Sequence, residues 1–153
     1  MTTERFEIQR TINATPEAIF AVLRDPKGHV TIDSSGMLQS STGAPVNAVD
    51  DTFVVHMDRE SLNDYPLGLY DVTVRITTFA ENQEIAWTVI GELKPPLGHI
   101  YGYTLEPIAD GTLVTSYYDW SDIHPDWRAA NIFPIMSELS LRATLGILAR
   151  TVS

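Results

Sequence analysis

The chain has 153 residues, 44% hydrophobic and 20% charged, an ordinary composition for a soluble globular protein and enough to bury about two-thirds of its unfolded surface in a single domain over residues 1–153. Ten basic against twenty acidic residues give a formal charge of −10; this argues against a nucleic-acid partner, whose phosphates require clustered Lys and Arg, and against an anionic membrane surface. The absence of cysteine excludes a disulfide framework, a thiolate nucleophile and a Cys-based zinc site.

The opening MTTERFEIQRTINATPEAIF has charges among its apolar residues and no continuous apolar region of a secretory signal. No later run approaches the roughly 18 apolar residues of a membrane span. The expected location is therefore cytoplasmic, without membrane insertion. Residues 4–13 alternate, with Phe6, Ile8 and Ile12 on one face, and predict a half-buried strand. Thr15-Pro16-Glu17 is a helix start, with Thr as N-cap, Pro at the first helical position and an early acidic residue. Ile19, Phe20, Val22 and Leu23 supply its apolar stripe, Asp25-Pro26 ends it, and a second short helix is expected over residues 27–32.

Residues 34–51 are rich in Ser, Gly, Pro and Asn and predict a loop with one short strand near residues 37–39. Phe53, Val55 and Met57 then alternate in a further strand, followed by a polar connection over residues 59–66. Residues 69–79 resume the alternation, with Val72, Val74 and Ile76 inward and Arg75 outward. A tight turn at residues 81–83 leads to a strand with Ile85, Trp87 and Val89 inward, and residues 91–98 form a loop.

Residues 99–120 are the most informative stretch. Two alternating segments flank Ala109-Asp110-Gly111, a strong hairpin signal. His99, Tyr101, Tyr103 and Leu105 share one face of the first strand, and Val114, Ser116, Tyr118 and Trp120 one face of the second. A dry core would use Val, Ile and Leu here; bulky rings with polar tips suit a cavity wall. Gly98 and Gly102 suggest a bulge or sharp bend in the first strand. After Ile123-His124-Pro125 the period lengthens to that of a helix. Pro134 fits its first turn, Ile135, Met136, Leu139, Ala143, Ile147 and Arg150 trace one stripe, and Leu141, Leu145 and Leu148 widen the apolar surface.

The assembled order is a strand, two short helices, about six strands and one long C-terminal helix. This is an α+β architecture in which a curved antiparallel sheet is covered on one face by the long helix. A strongly curved sheet meets a helix imperfectly, and a cavity can form in the gap.

At this point the chain resembles the SRPBCC superfamily, the START-like or birch-pollen-allergen-like helix-grip proteins, and within it the polyketide cyclase/dehydrase and lipid transport branch. The resemblance rests on Ile12-Asn13-Ala14-Thr15-Pro16-Glu17-Ala18-Ile19-Phe20, on Glu84-Ile85-Ala86-Trp87, on Leu105-Glu106-Pro107 with Asp110-Gly111-Thr112-Leu113-Val114-Thr115, and on the closing helix. It covers essentially the whole chain. One departure is the segment after Pro26, where many relatives carry Trp/Tyr-Pro-x-Trp and this chain has Lys27-Gly28-His29-Val30. The resemblance implies a helix-grip fold and activities ranging from lipid carriage to ring cyclisation, so the fold alone does not choose a function.

The residues expected to meet an apolar ligand are Trp87, His99, Tyr101, Tyr103, Tyr118, Trp120 and Met136, the last on the helix facing the sheet. The primary reading is binding of a hydrophobic small molecule, such as a lipid, polyketide or aromatic metabolite, between sheet and helix. The alternative is a cyclase or dehydrase in the same cavity, with His99 as base and tyrosine hydroxyls orienting carbonyls. Against both stands a chain in which His99 lies at the solvent end of its strand, the tyrosines merely pack, and a cavity-free domain serves protein interaction. Asp119, Asp122, His124 and Asp126 fit no EF-hand spacing and are expected to supply turn and helix-start chemistry. No metal or cofactor is expected, and oligomeric state is not encoded in any motif.

Overall fold

A computed structural model describes residues 3–62 and 67–153; residues 63–66 of the expected polar connection lie outside the described residues. Seven strands form one antiparallel sheet in the order β1-β7-β6-β5-β4-β3-β2. They are β1 (Arg5–Ile12), β2 (Leu38–Thr42), β3 (Thr52–Asp58), β4 (Leu69–Ala80), β5 (Glu84–Ile90), β6 (Ile100–Ile108) and β7 (Gly111–Asp119). The helices are α1 (Pro16–Leu23), α2 (Pro26–Ile32), α3 (Pro125–Ala130) and α4 (Glu138–Val152), with one 3-10 turn at Glu60–Leu62. This is the helix-grip architecture that the resemblance implies. Among the described residues no helix is long and apolar enough to cross a membrane.

The local signals act as their chemistry dictates. Thr15 caps α1 by accepting from the Ala18 N–H at 3.2 Å, with Pro16 in the first turn. Asp25 does not simply end α1; its carboxylate accepts from Lys27 N–H and starts α2. The short strand extends further than expected, to Thr42, after a turn in which the Asp33 carboxylate accepts from the backbone N–H groups of Ser35, Gly36 and Leu38. In the hairpin, Ile108 and Gly111 are paired across Ala109-Asp110. Gly111 has φ +139°, and a Cβ there would come within 2.2 Å of the Ile12 carbonyl oxygen.

Registers fix which side chains share the concave face. Phe6 pairs with Tyr118, Tyr118 with Tyr101, Tyr101 with Trp87 and Trp87 with Ile76. Directly opposed residues in an antiparallel ladder lie on the same face, so this row crosses the sheet from β1 to β4. On the opposite face Tyr117 lies over Gly102, where a Cβ would sit 2.2 Å from its ring, and donates to Glu84 at 2.7 Å. Gly102 is therefore a seat for a cross-strand ring rather than a bend, whereas Gly98, at φ +86°, does turn the chain.

The C-terminal region departs most from the sequence reading. Pro134, Ile135 and Met136 precede α4, whose N-cap is Ser137, and α3 is a separate helix capped by His124. The buried face of α4 is Leu141, Leu145, Leu148 and Ala149, while Ile135 is 41% and Leu139 75% exposed. Apolar residues nearly encircle this segment, so the stripe could not be oriented by period alone. Nor does α4 cover the whole concave face: it packs on β1, β7, α1 and α2, while α2 covers part of β2 and β3.

The α1–α2 corner requires Gly28, because a Cβ there would stand 1.9 Å from the Val22 carbonyl oxygen. Gly28→Ala is expected to cost at least about 2 kcal/mol in chemical denaturation by overpacking. Gly91→Ala, whose Cβ would meet only Val72 at 3.6 Å, is expected to stay within about 0.5 kcal/mol. Equal stability of the two variants would contradict the close approach.

Candidate functional site

Two clefts lie beside the sheet, the smaller of them bordered by Trp120 and Phe133. One of about 290 Å³ opens on the outer face beside Arg5, Thr77, Thr78, Tyr117 and Asp119. One of about 60 Å³ lies between Glu4, Trp120, Trp127, Arg128 and Phe133. The concave face instead offers a continuous aromatic wall. Trp87 stacks near Tyr101 and Tyr103, with ring centroids 6.3 and 5.9 Å away, and Tyr101 lies 4.9 Å from Tyr118. Trp120 extends the wall at 5.6 Å from Tyr118 and meets Phe6 edge-on at 4.9 Å.

His99 sits inside this wall rather than at a solvent end; it is 4% exposed. The loop before it is anchored from two sides. His124 N–H donates to the Leu97 carbonyl, and the Trp127 indole N–H donates to the Pro95 carbonyl at 2.7 Å. Gly98 lies against the backbone of Asp122 and Ile123. The His99 carbonyl then accepts from the Thr88 hydroxyl at 2.8 Å. These contacts deliver the ring between Tyr101 and Phe133, whose centroids are 5.1 and 5.6 Å away. Nδ1 is hydrogen-bonded to Tyr118 Oη at 2.8 Å, and Nε2 is buried with no partner among the described residues.

A second histidine escaped the sequence reading. His29 is buried on α2, tilted 4.5 Å from Trp87 and edge-on to Phe53 at 4.9 Å, and its Nε2 meets the Leu23 carbonyl oxygen at 2.7 Å. It lies in the segment after Pro26 where the chain departs from the aromatic pattern of the resemblance. The neighbouring Gly28 was the available signal, since a glycine inside a helix marks close backbone approach.

Burial sets the protonation of this wall. Desolvation lowers both His29 and His99 to about 4, so both are neutral at pH 7. The same desolvation pushes the Tyr103 phenol up to about 12 and holds Tyr101 and Tyr118 far above their ordinary value. The wall is thus polar at its tips but uncharged.

Among the described residues, several side chains packed against the core remain partly exposed: Leu38, Met57, Tyr70, Val89, Tyr101, Phe133 and Met136. The Tyr101 phenol faces Tyr70 and Arg59. Met136, expected on the long helix, lies in the irregular segment before it. The structure therefore brings Trp87, His99, Tyr101, Tyr103, Tyr118 and Trp120 onto one face, and Met136 packs against the same core from the segment before α4. Tyr103, Tyr118 and Trp120 are buried within the face, whereas Tyr101 and Met136 reach solvent.

The acidic positions serve local structure. Asp119 accepts from Ser121 N–H and Oγ and pairs with Arg5 at 3.2 Å, while His124 accepts from Asp126 N–H. Among the described residues no three His, Asp or Glu side chains converge as a metal site.

The family model for polyketide cyclase / dehydrase and lipid transport matches residues 3–153. The chain belongs to that family. No curated protein matches it by sequence. Similar solved structures include a protein from Chromobacterium violaceum at 16% identity and TM-score 0.67, covering 97% of this chain and 96% of that one. The AHSA1-like protein from Aeromonas hydrophila aligns at 16% identity and TM-score 0.61, with 97% and 91% covered. The Aha1 dimer from Colwellia psychrerythraea aligns at 17% identity and TM-score 0.62, with 99% and 96% covered. At such identities the likeness establishes the fold of this family member and no more.

The neutral histidines give this family member a defined pH response. Unfolded, each histidine takes a proton near 6.5; folded, only near 4. The unfolded chain therefore binds more protons between those values, and stability falls as pH drops from 6.5 to 4, by about 3 kcal/mol per histidine. Urea unfolding across this range measures the slope, and His99→Phe is expected to remove about half of the histidine contribution. An unchanged slope in that variant would contradict the burial of a neutral His99.

Proposed function

We propose that this chain, as one helix-grip domain over residues 1–153, binds a hydrophobic small molecule on the concave face of its sheet. A lipid, a polyketide or another aromatic metabolite fits this description. The observation that carries the reading is a set of apolar and aromatic side chains, Met57, Tyr70, Val89, Tyr101, Phe133 and Met136, that pack against the core yet remain partly exposed among the described residues. Family membership over residues 3–153 supports it. A ligand burying about 200 Å² of apolar surface there would gain about 5 kcal/mol before the cost of immobilisation.

The protonation of His99 favours binding over proton abstraction. A general base works best with a pKa near ambient pH. Desolvation holds His99 near 4, which makes it a weak base at neutral pH and leaves it suited to hydrogen bonding. Desolvation likewise holds the Tyr101, Tyr103 and Tyr118 phenols above their ordinary value, as neutral hydroxyls.

Solvent extraction of the purified protein followed by mass spectrometry tests this reading. It is expected to release an apolar molecule whose mass does not change on prolonged incubation with the protein. Met136→Asp, which places a carboxylate among these partly exposed side chains, is expected to lower occupancy at least about tenfold, because an ionised group resists desolvation. Arg75→Asp on the exposed outer face is expected to leave occupancy unchanged. Protein that neither carries nor takes up an apolar molecule would overturn the reading, and an altered mass on incubation would replace it with cyclase or dehydrase activity.

A further inference from the structure

The chain is acidic as a whole, yet three of its ten basic residues gather along one flank of α4. Arg142, Gly146 and Arg150 stand four residues apart on that helix, so they form one row with about 6 Å between successive positions. The row faces β1, because a Cβ at Gly146 would lie 3.7 Å from Arg10 Nη1. Arg10 shares the strand parity of the buried Ile8 and Ile12 but is itself exposed, as are Arg142 and Arg150. Elsewhere Arg5 pairs with Glu7 and Asp119, Arg24 with Glu81 and Arg128 with Glu4. None of the three arginines in the row has a carboxylate partner among the described residues. Glu138 is the only acidic residue of α4, and Glu7 of β1 is already held by Arg5.

The fold itself does not account for this row. Arg150 lies in the last turn of α4, where a cation complements the helix dipole, but Arg142 in the second turn and Arg10 on a strand have no such role. Gly146 stands in the middle of the helix, where only proline is tolerated less well. No close approach demands a glycine there, since an added Cβ would meet only the far end of the Arg10 side chain, at an ordinary contact distance. The glycine leaves a notch between the guanidinium groups, and it is partly exposed. At physiological ionic strength charges are damped beyond about 8 Å. A partner on this flank therefore meets the local positive charge rather than the overall −10.

We propose that this flank of α4 is a docking surface for an acidic segment of a partner protein. Its carboxylates pair with Arg10, Arg142 and Arg150, and its closest approach is at Gly146. Leu139, three residues before Arg142 and 75% exposed, adds an apolar contact at the end of the row. Carboxylates four residues apart on a helix repeat at the same spacing of about 6 Å. A single phosphate would leave part of a row about 12 Å long unused. A nucleic acid would run past it onto a surface more acidic than the chain as a whole. The proposal is independent of what occupies the concave face.

Fluorescence anisotropy of the full chain with a fluorescein-labelled helical peptide tests it. The probe carries Glu at every fourth position among Ala, Leu and Gln, and its control carries Gln in place of Glu. The wild-type protein is expected to bind the Glu probe about tenfold more tightly than the control, the sum of a few exposed ion pairs, and to lose that preference as salt rises. The double variant Arg142→Gln with Arg150→Gln is expected to bind both probes alike. Arg75→Gln with Lys94→Gln removes the same charge from other exposed positions and is expected to keep the preference. Gly146→Leu fills the notch with every charge in place and is expected to weaken binding of the Glu probe. No preference for the Glu probe in the wild-type protein, or an equal loss in the two double variants, would overturn the proposal. So would tighter binding of tripolyphosphate than of the peptide. A wild-type dimer that dissociates in Arg142→Gln with Arg150→Gln would also overturn it, by making a second copy of the chain the occupant.

Discussion

A curved sheet of seven strands presents a concave face wider than its helix can cover. Six inter-strand spacings of about 4.8 Å make the sheet about 29 Å across, whereas an α-helix with its side chains is about 10 Å wide. The fifteen residues of α4 therefore cover one side, over β1 and β7 with support from α1 and α2. Leu141, Leu145 and Leu148 bury this contact. What remains of the concave face must be filled by large side chains, by the short helix α2, or by something from outside.

Aromatic rings do much of that filling. Trp87, Tyr101, Tyr103, Tyr118 and Trp120 form the wall, and His29 and Phe53 close it from the α2 side. Rings carry much apolar area and end in a polar atom. Desolvation keeps those atoms neutral, so the wall has donors and acceptors without charge. A surface of this kind is the one the proposed reading requires for apolar molecules with a few polar atoms. The outer face is organised otherwise: Tyr117 crosses Gly102 to Glu84, and Arg5 lies 4.1 Å over its ring, a charged arrangement at the solvent side.

Much of this was legible in the residues. Strand alternation placed His99, Tyr101 and Tyr103 on one face, the Asp110-Gly111 pair located the hairpin, and Thr15-Pro16 located α1. These signals are local, and local geometry decides them. What was not legible depends on contacts between distant segments. The face of α4 could not be oriented because Ile135, Leu139 and Ile147 are as apolar as the residues it buries. Nothing in the sequence marks His29 itself as buried; the Gly28 corner brings it against Trp87. The depth of His99 is set by Leu97, Gly98 and Thr88 meeting elements far along the chain, which no short pattern records.

The account turns on where an apolar molecule goes. The chain holds four methionines, and Met57 and Met136 both pack partly exposed against the core, which makes their methyl groups direct reporters. With the methionine methyls labelled with ¹³C, titration with 2-acetylnaphthalene is predicted to shift the Met57 and Met136 signals together and to give nuclear Overhauser contacts from both to the probe. Signals from Met57 and Met136 that stay fixed while the probe binds would contradict the account, because the molecule would then sit away from the concave face.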